Sequence, residues 1–279
     1  MKHSVKQTIK LLAWMFAAII IAILAAPRMQ EKIIVPAANP WFIAGLAVGL
    51  MLAGALLWWF LMKKITPASI SIIWCMLLGY ASSDIFERMV PFVSAHGWFV
   101  RFVILMTVYF CVAYGFYRLT KRMVESWEFT RKYLWVSNLL MITILGMIGA
   151  ELGAIVSPLA AIIILFGAAI YDAWAVWKSG TMVKMAKYFM DIRVIPGIAL
   201  AKKEEGEFAI LGGGDIFFIA LVSTAFYKSS ISSMYITAAA MSLAVVALFA
   251  ASQKKKFYPA LPFIFAGLLM GLGVVWAIV

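Results

Sequence analysis

Nine runs of about 20 mostly apolar residues follow one another along this chain, and a run of that length has few folding options. Surrounded by hydrocarbon, every amide must be satisfied within its own segment, so each run is expected to cross a membrane as a helix. Bounded by charge or by Pro and Gly, the runs fall at roughly 9–27, 41–62, 68–86, 98–117, 135–156, 158–178, 210–227, 231–251 and 257–279. A composition that is 65% hydrophobic and 13% charged lies far outside the range of soluble domains. The expected fold class is an all-α polytopic membrane protein with nine transmembrane helices. Residues 1–279 read as a single membrane domain, with spans one to six over about 9–178, an inner loop at 179–209, and spans seven to nine over about 210–279.

A net charge of +12 raises the question of nucleic acid, and the distribution of that charge answers it. With nine spans and the N-terminus inside, 19 of the 24 Lys and Arg fall in inner segments, leaving Arg28, Lys32, Arg88, Arg101 and Lys228 at or near the outer side. That asymmetry orients helices during insertion. It predicts N-terminus inside, C-terminus outside, and no nucleic-acid partner. Lys2, Lys6 and Lys10 before the first span, and Ala25-Ala26-Pro27 at its end, bring a cleaved signal peptide into consideration. Pro27 directly after the small residues argues for a retained span instead. Cys75 and Cys111 fall within spans and read as buried packing residues, not as a disulfide.

Ionisable residues inside a span are functional candidates by default, because a carboxylate in hydrocarbon costs several kcal/mol. At about 1.5 Å per residue, Asp172 in the sixth span lies about 9 Å below the inner boundary, and Asp215 in the seventh about 8 Å below the same boundary. Asp84 and Glu151 do not share that layer, lying about 25 and 24 Å from the inner boundary. Asp84 reads as a solvated helix end. Glu151, in Gly149-Ala150-Glu151-Leu152-Gly153, reads as a polar contact between close-packed helices.

Two carboxylates in one layer cannot both ionise easily, so they share a proton, and one serves as base while the other serves as acid. Such a pair fits an aspartyl protease, and it fits equally the proton site of a transporter. Gly212, Gly213 and Gly214, immediately before Asp215, disfavour helix and let other backbone approach the acid. Pro259-Ala260-Leu261-Pro262 enters the membrane at the same depth in the last span and loosens its first turn. The glycine pairs Gly45 and Gly49, and Gly267 and Gly271, fit ordinary helix crossings.

Tyr171-Asp172 in the sixth span, the Gly-x-Gly-Asp of residues 212–215 in the seventh and Pro259-Ala260-Leu261 in the ninth resemble the presenilin and signal peptide peptidase family of intramembrane aspartyl proteases. The resemblance covers the whole span plan. The orientation resembles presenilin, and the compact chain is similar to the archaeal homologues, which implies an archaeal cell membrane. What the resemblance implies is a catalytic pair, Asp172 and Asp215. Tyr171, Gly212, Gly213, Gly214, Pro259, Ala260 and Leu261 would support the site and help receive substrate. The implied partners are transmembrane peptides or single-span proteins within the bilayer, with no cofactor and no metal; a homo-oligomer is allowed. The short inner loop gives no reason to expect self-cleavage.

Two further expectations concern that loop. Met182, Met185, Phe189 and Ile192 recur at helical spacing opposite Lys184, Lys187 and Asp191, which predicts an amphipathic surface helix. Val194–Leu200 and Phe208–Leu211 flank the polar residues 202–207, which predicts a hairpin whose free edge could add a substrate strand. Other protease chemistries lack their parts. There is no His-Glu-x-x-His, and the only histidines, His3 and His96, lie away from any buried serine motif. A prepilin-type peptidase shares Gly-x-Gly-Asp but not Pro-Ala-Leu.

Overall fold

The computed structural model describes residues 5–32, 98–191, 193, 195–201, 208–251 and 258–278. The runs expected at 41–62 and 68–86, with Asp84, Gly45, Gly49 and Cys75, lie outside the described residues, as does the 202–207 turn.

The other seven expected spans are helical for most or all of their length. We number the helices α1 (Val5–Lys32), α2 (Trp98–Glu125), α3 (Trp127–Ile155), α4 (Pro158–Trp177), α5 (Thr181–Asp191), α6 (Gly213–Tyr227), α7 (Ile231–Ala251) and α8 (Leu261–Ile278). Among the described residues, five helices are long and apolar enough to cross a membrane: α3, α4, α7, α8 and the Thr8–Pro27 part of α1. Two strands, β1 (Gly197–Ala201) and β2 (Phe208–Gly212), pair antiparallel between α5 and α6.

Helix α6 is the centre of the packing. Ile216 and every residue from Phe218 to Phe226 are buried, so it is apolar on all sides, as a helix surrounded by other helices must be. It packs against α1, α3, α4, α7 and α8. Its contact with α3 is made backbone to backbone: a Cβ on Gly153 would overlap the Leu221 carbonyl oxygen, and one on Gly149 would lie 2.8 Å from the Phe217 oxygen. Small residues at such a crossing bring main chains together where burial from water supplies no drive. Glu151, two positions from each of these glycines and so on the other side of α3, is half-buried. Gly267 and Gly271 play the same part between α8 and α7, facing Ala240 and its neighbours.

The connections are capped locally. The Ser126 and Ser157 hydroxyls accept from the Phe129 and Ala160 N–H groups at the starts of α3 and α4, where Pro158 also occupies the first turn. Lys228, just past α6, donates to the Val156 carbonyl at 3.0 Å and so ties two turns together. The expected amphipathic helix is α5, with Phe189 buried and Lys184, Lys187 and Asp191 exposed.

Three expectations need correction. Cys111 is exposed on α2 instead of buried, because its position falls on the face of that helix turned away from the protein. The seventh span starts as a strand: Phe208–Gly212 is β2, and α6 covers only 15 residues. That is about 22 Å of helix, short of the roughly 30 Å hydrocarbon thickness. The ninth span likewise starts as helix only at Leu261, four residues after its expected start.

Candidate active site

Asp172 continues a buried stripe. Ala161, Leu165, Ala168, Asp172 and Ala175 recur every three or four residues along α4 and all face inward, so helical periodicity alone turns this carboxylate into the protein. Tyr171, one position earlier and about a quarter turn round, is only partly buried, with its ring 6.1 Å from that of Trp174.

The start of α8 is directed at Asp172. Pro259, Ala260 and Leu261 are buried, and the Ala260 carbonyl accepts from the Phe263 and Ile264 N–H groups at 3.0 Å, closing the first turn. The first N–H groups of a helix have no partner inside it. Here Leu261 N–H donates to Asp172 Oδ2 at 3.1 Å, and the Ala260 N–H is directed at the same carboxylate. Pro262 has no N–H to satisfy, which is harmless in a first turn. The Pro-Ala-Leu segment therefore contributes main-chain donors and the positive end of a helix dipole.

Asp215 stands at the equivalent end of α6, as its third residue. Gly212 precedes the helix in an extended conformation, φ −61° and ψ 142°, and its N–H points at the Asp215 carboxylate. The third helical position is the one from which an acid can reach back to the cap amide. Asp172 and Asp215 lie within electrostatic reach of each other. Two helix N-termini thus meet at two carboxylates, and each favours negative charge where burial opposes it.

The three glycines differ in what they do. Gly213 donates its N–H to the Pro196 carbonyl at 3.0 Å, and a Cβ there would meet that same oxygen at 2.7 Å and Leu145 Cδ1 at 3.2 Å. A Cβ on Gly212 would lie 3.1 Å from Asp215 Oδ2, whereas nothing comes within 4 Å of one on Gly214. The middle glycine is the one held tightly by main chain, while Gly214 leaves room beside Asp215.

The hairpin delivers the chain to Asp215 with one edge already taken. Its register pairs Gly197 with Gly212, Ala199 with Ile210 and Ala201 with Phe208. Asn138 on α3, 1% exposed, holds both groups of Ala199: its Nδ2 donates to the Ala199 carbonyl at 2.7 Å, and its Oδ1 accepts from the Ala199 N–H at 3.0 Å. Ala199 therefore faces away from β2. In an antiparallel ladder the alternation then turns the amides of Phe208, Ile210 and Gly212 away from β1. Among the described residues no strand pairs with the other edge of β2, and its last outward amide, that of Gly212, is the one pointing at Asp215.

The clamp by Asn138 went unread in the sequence, although a lone Asn in an apolar span is a signal of the same kind as a buried acid. Among the described residues, no three His, Cys, Asp or Glu side chains cluster as metal ligands would.

No family model and no curated protein matches the chain. Among solved structures, a presenilin family intramembrane aspartate protease in a P2 crystal form is similar, with 17% identity, a TM-score of 0.67 and 97% of each chain covered. A C222 form of a presenilin family intramembrane aspartate protease gives 18% identity and a TM-score of 0.58, covering 97% of this chain and 98% of the other. The likeness spans nearly the whole of both chains and establishes a presenilin-like fold for this integral membrane protein.

Proposed function

We propose that the chain is an intramembrane aspartyl endopeptidase in which Asp172 and Asp215 are the catalytic pair. The observation that carries this reading is the convergence of two helix N-termini and an open strand edge on two aspartates. A carboxylate pair sharing one proton can activate water: the ionised member takes a proton as the water oxygen attacks a peptide carbonyl, and the neutral member donates its proton to the carbonyl oxygen. Collapse of the tetrahedral species then passes a proton to the leaving amine, with no covalent enzyme intermediate.

A membrane helix hides its peptide bonds in internal hydrogen bonds, so substrate must unwind before it can be cut. The outward amides of Phe208, Ile210 and Gly212 offer an unwound strand new partners and lead it to Asp215. Single-span proteins are the proposed substrates, cut within the membrane near its inner face by one nine-span domain with its N-terminus inside. Tyr171, Gly212, Gly213, Gly214, Pro259, Ala260 and Leu261 would frame the site. A proton-coupled transporter would use the same acids but has no need of a strand edge beside them.

The test is cleavage of a tagged single-span reporter by the purified chain in lipid, with products mapped by mass. Cleavage within the span that is lost in both Asp172→Ala and Asp215→Ala is the expected result. Folded wild type that cuts none of a diverse substrate panel, yet carries proton-coupled flux lost in the same variants, would establish the transporter instead.

A further inference from the structure

A cavity of about 710 Å³ opens between α1, α3 and the outer side of β1, away from the aspartates. Lys10 and Arg131 line it, with Trp14 and Trp135 one helical turn further along their respective helices, and among the described residues no acidic side chain lines it. The two helices run parallel here, because beyond the cavity residues on both of them Gly146 of α3 meets Ala18 and Ile21 of α1. A cation followed four residues later by an indole thus lines the cavity from both helices. Lys10, Arg131 and Trp135 are exposed.

Along each helix this is the order of one leaflet of a bilayer. Cations belong at the phosphate level, indoles at the headgroup boundary beneath them, and small apolar residues such as Ala13 and Ala17 beside the hydrocarbon. We propose that the cavity is a binding site for an anionic phospholipid, with its phosphate between Lys10 and Arg131 and its upper chain against Trp14 and Trp135. Leu200 and Ala201 of β1 form part of the same wall. The bound lipid therefore braces the hairpin from the side opposite the open edge of β2. This proposal does not depend on the protease reading, since it concerns binding alone.

Native mass spectrometry of the full chain would compare phosphatidylglycerol with phosphatidylcholine of the same acyl chains, and with inorganic phosphate. At about one kcal/mol per basic residue near an anionic lipid, retention of phosphatidylglycerol is expected to exceed that of phosphatidylcholine by about tenfold or more. Lys10→Gln with Arg131→Gln should abolish the preference, and each single change should weaken it. Lys132→Gln, an exposed cation on the same helix that does not line the cavity, should leave it intact. Equal retention of the two lipids, or an undiminished preference in the folded double variant, would overturn the proposal. So would competition by millimolar inorganic phosphate as effective as that by the lipid, which would make this a site for a free anion. Should the double variant not fold, an undiminished preference in both single variants would overturn it equally.

Discussion

Leu261, the first residue of α8, and Asp172, five residues before the end of α4, are joined by one main-chain hydrogen bond of 3.1 Å across 89 residues of sequence. Because the donor is an N–H, the identity of the side chain matters less than the presence of the amide. Leu261→Pro removes that amide at a helical position where proline is well accepted, and Leu261→Ala keeps it. A hydrogen bond to a charged group contributes about 1.5–3 kcal/mol. Peptide cleavage by the proline variant should therefore fall by about 10- to 100-fold relative to the alanine variant, at similar thermal stability. Equal rates in the two variants would show that the donor has no part in the reaction.

Ile210 and Leu211 are neighbours on β2 with opposite duties. The amide of Ile210 faces away from β1, whereas Leu211 pairs with Ile198 within the ladder. Ile210→Pro should thus leave the unfolding temperature near that of wild type while cleavage of a single-span reporter drops, because only the edge offered to substrate is lost. Leu211→Pro should lower both. Normal turnover by Ile210→Pro would sink strand addition as the binding mode.

Much of this architecture could be read from the chain because hydrocarbon permits so few structures. The windows at 158–178 and 231–251 match their helices to within a residue, since Ser157-Pro158, Lys178 and the polar turn after Tyr227 mark their ends chemically. The expectation of one layer for Asp172 and Asp215 followed from counting along the sixth and seventh spans. The start of α6 did not. Phe208-Ala209-Ile210-Leu211-Gly212 is apolar whether it is strand or helix, and periodicity cannot separate the two over five residues. Nor could spacing reveal that Gly213 is the glycine in contact with main chain, because that contact depends on Pro196, 17 positions away and brought near only by the hairpin. The exposure of Cys111 is hidden in the sequence for a related reason. An apolar window says that a residue avoids water, but it does not say whether protein or lipid covers it.

Gly213 and Gly214 should respond differently to one added methyl group. At Gly213 the new Cβ would press on the Pro196 oxygen at 2.7 Å, and neither backbone can yield without disturbing the hairpin. Gly213→Ala is expected to destabilise the protein by about 1–3 kcal/mol, read as a lower unfolding temperature in detergent. At Gly214 nothing stands within 4 Å, so Gly214→Ala should unfold like wild type. Its methyl group would occupy space beside Asp215, and the expected consequence is a lower kcat/KM. A Gly213→Ala protein as stable as wild type would show that the Pro196 contact is not a constraint.

Asn138 has the least replaceable side chain of the hairpin's support, because both of its polar groups hold the outer edge of β1. Leucine has the same branched skeleton as asparagine but can neither donate nor accept, so Asn138→Leu removes the two hydrogen bonds without leaving a cavity. It would leave the buried N–H and carbonyl of Ala199 unpaired, at about 1–3 kcal/mol each. The expected loss is about 2–5 kcal/mol of stability, together with weaker protection of the Ala199 amide against hydrogen exchange. Cleavage should suffer too, since β2 and Asp215 are positioned through β1. An Asn138→Leu protein that matches wild type in stability and amide protection would mean that β1 is held by its pairing with β2 alone, and the open edge of the sheet would then have no fixed side.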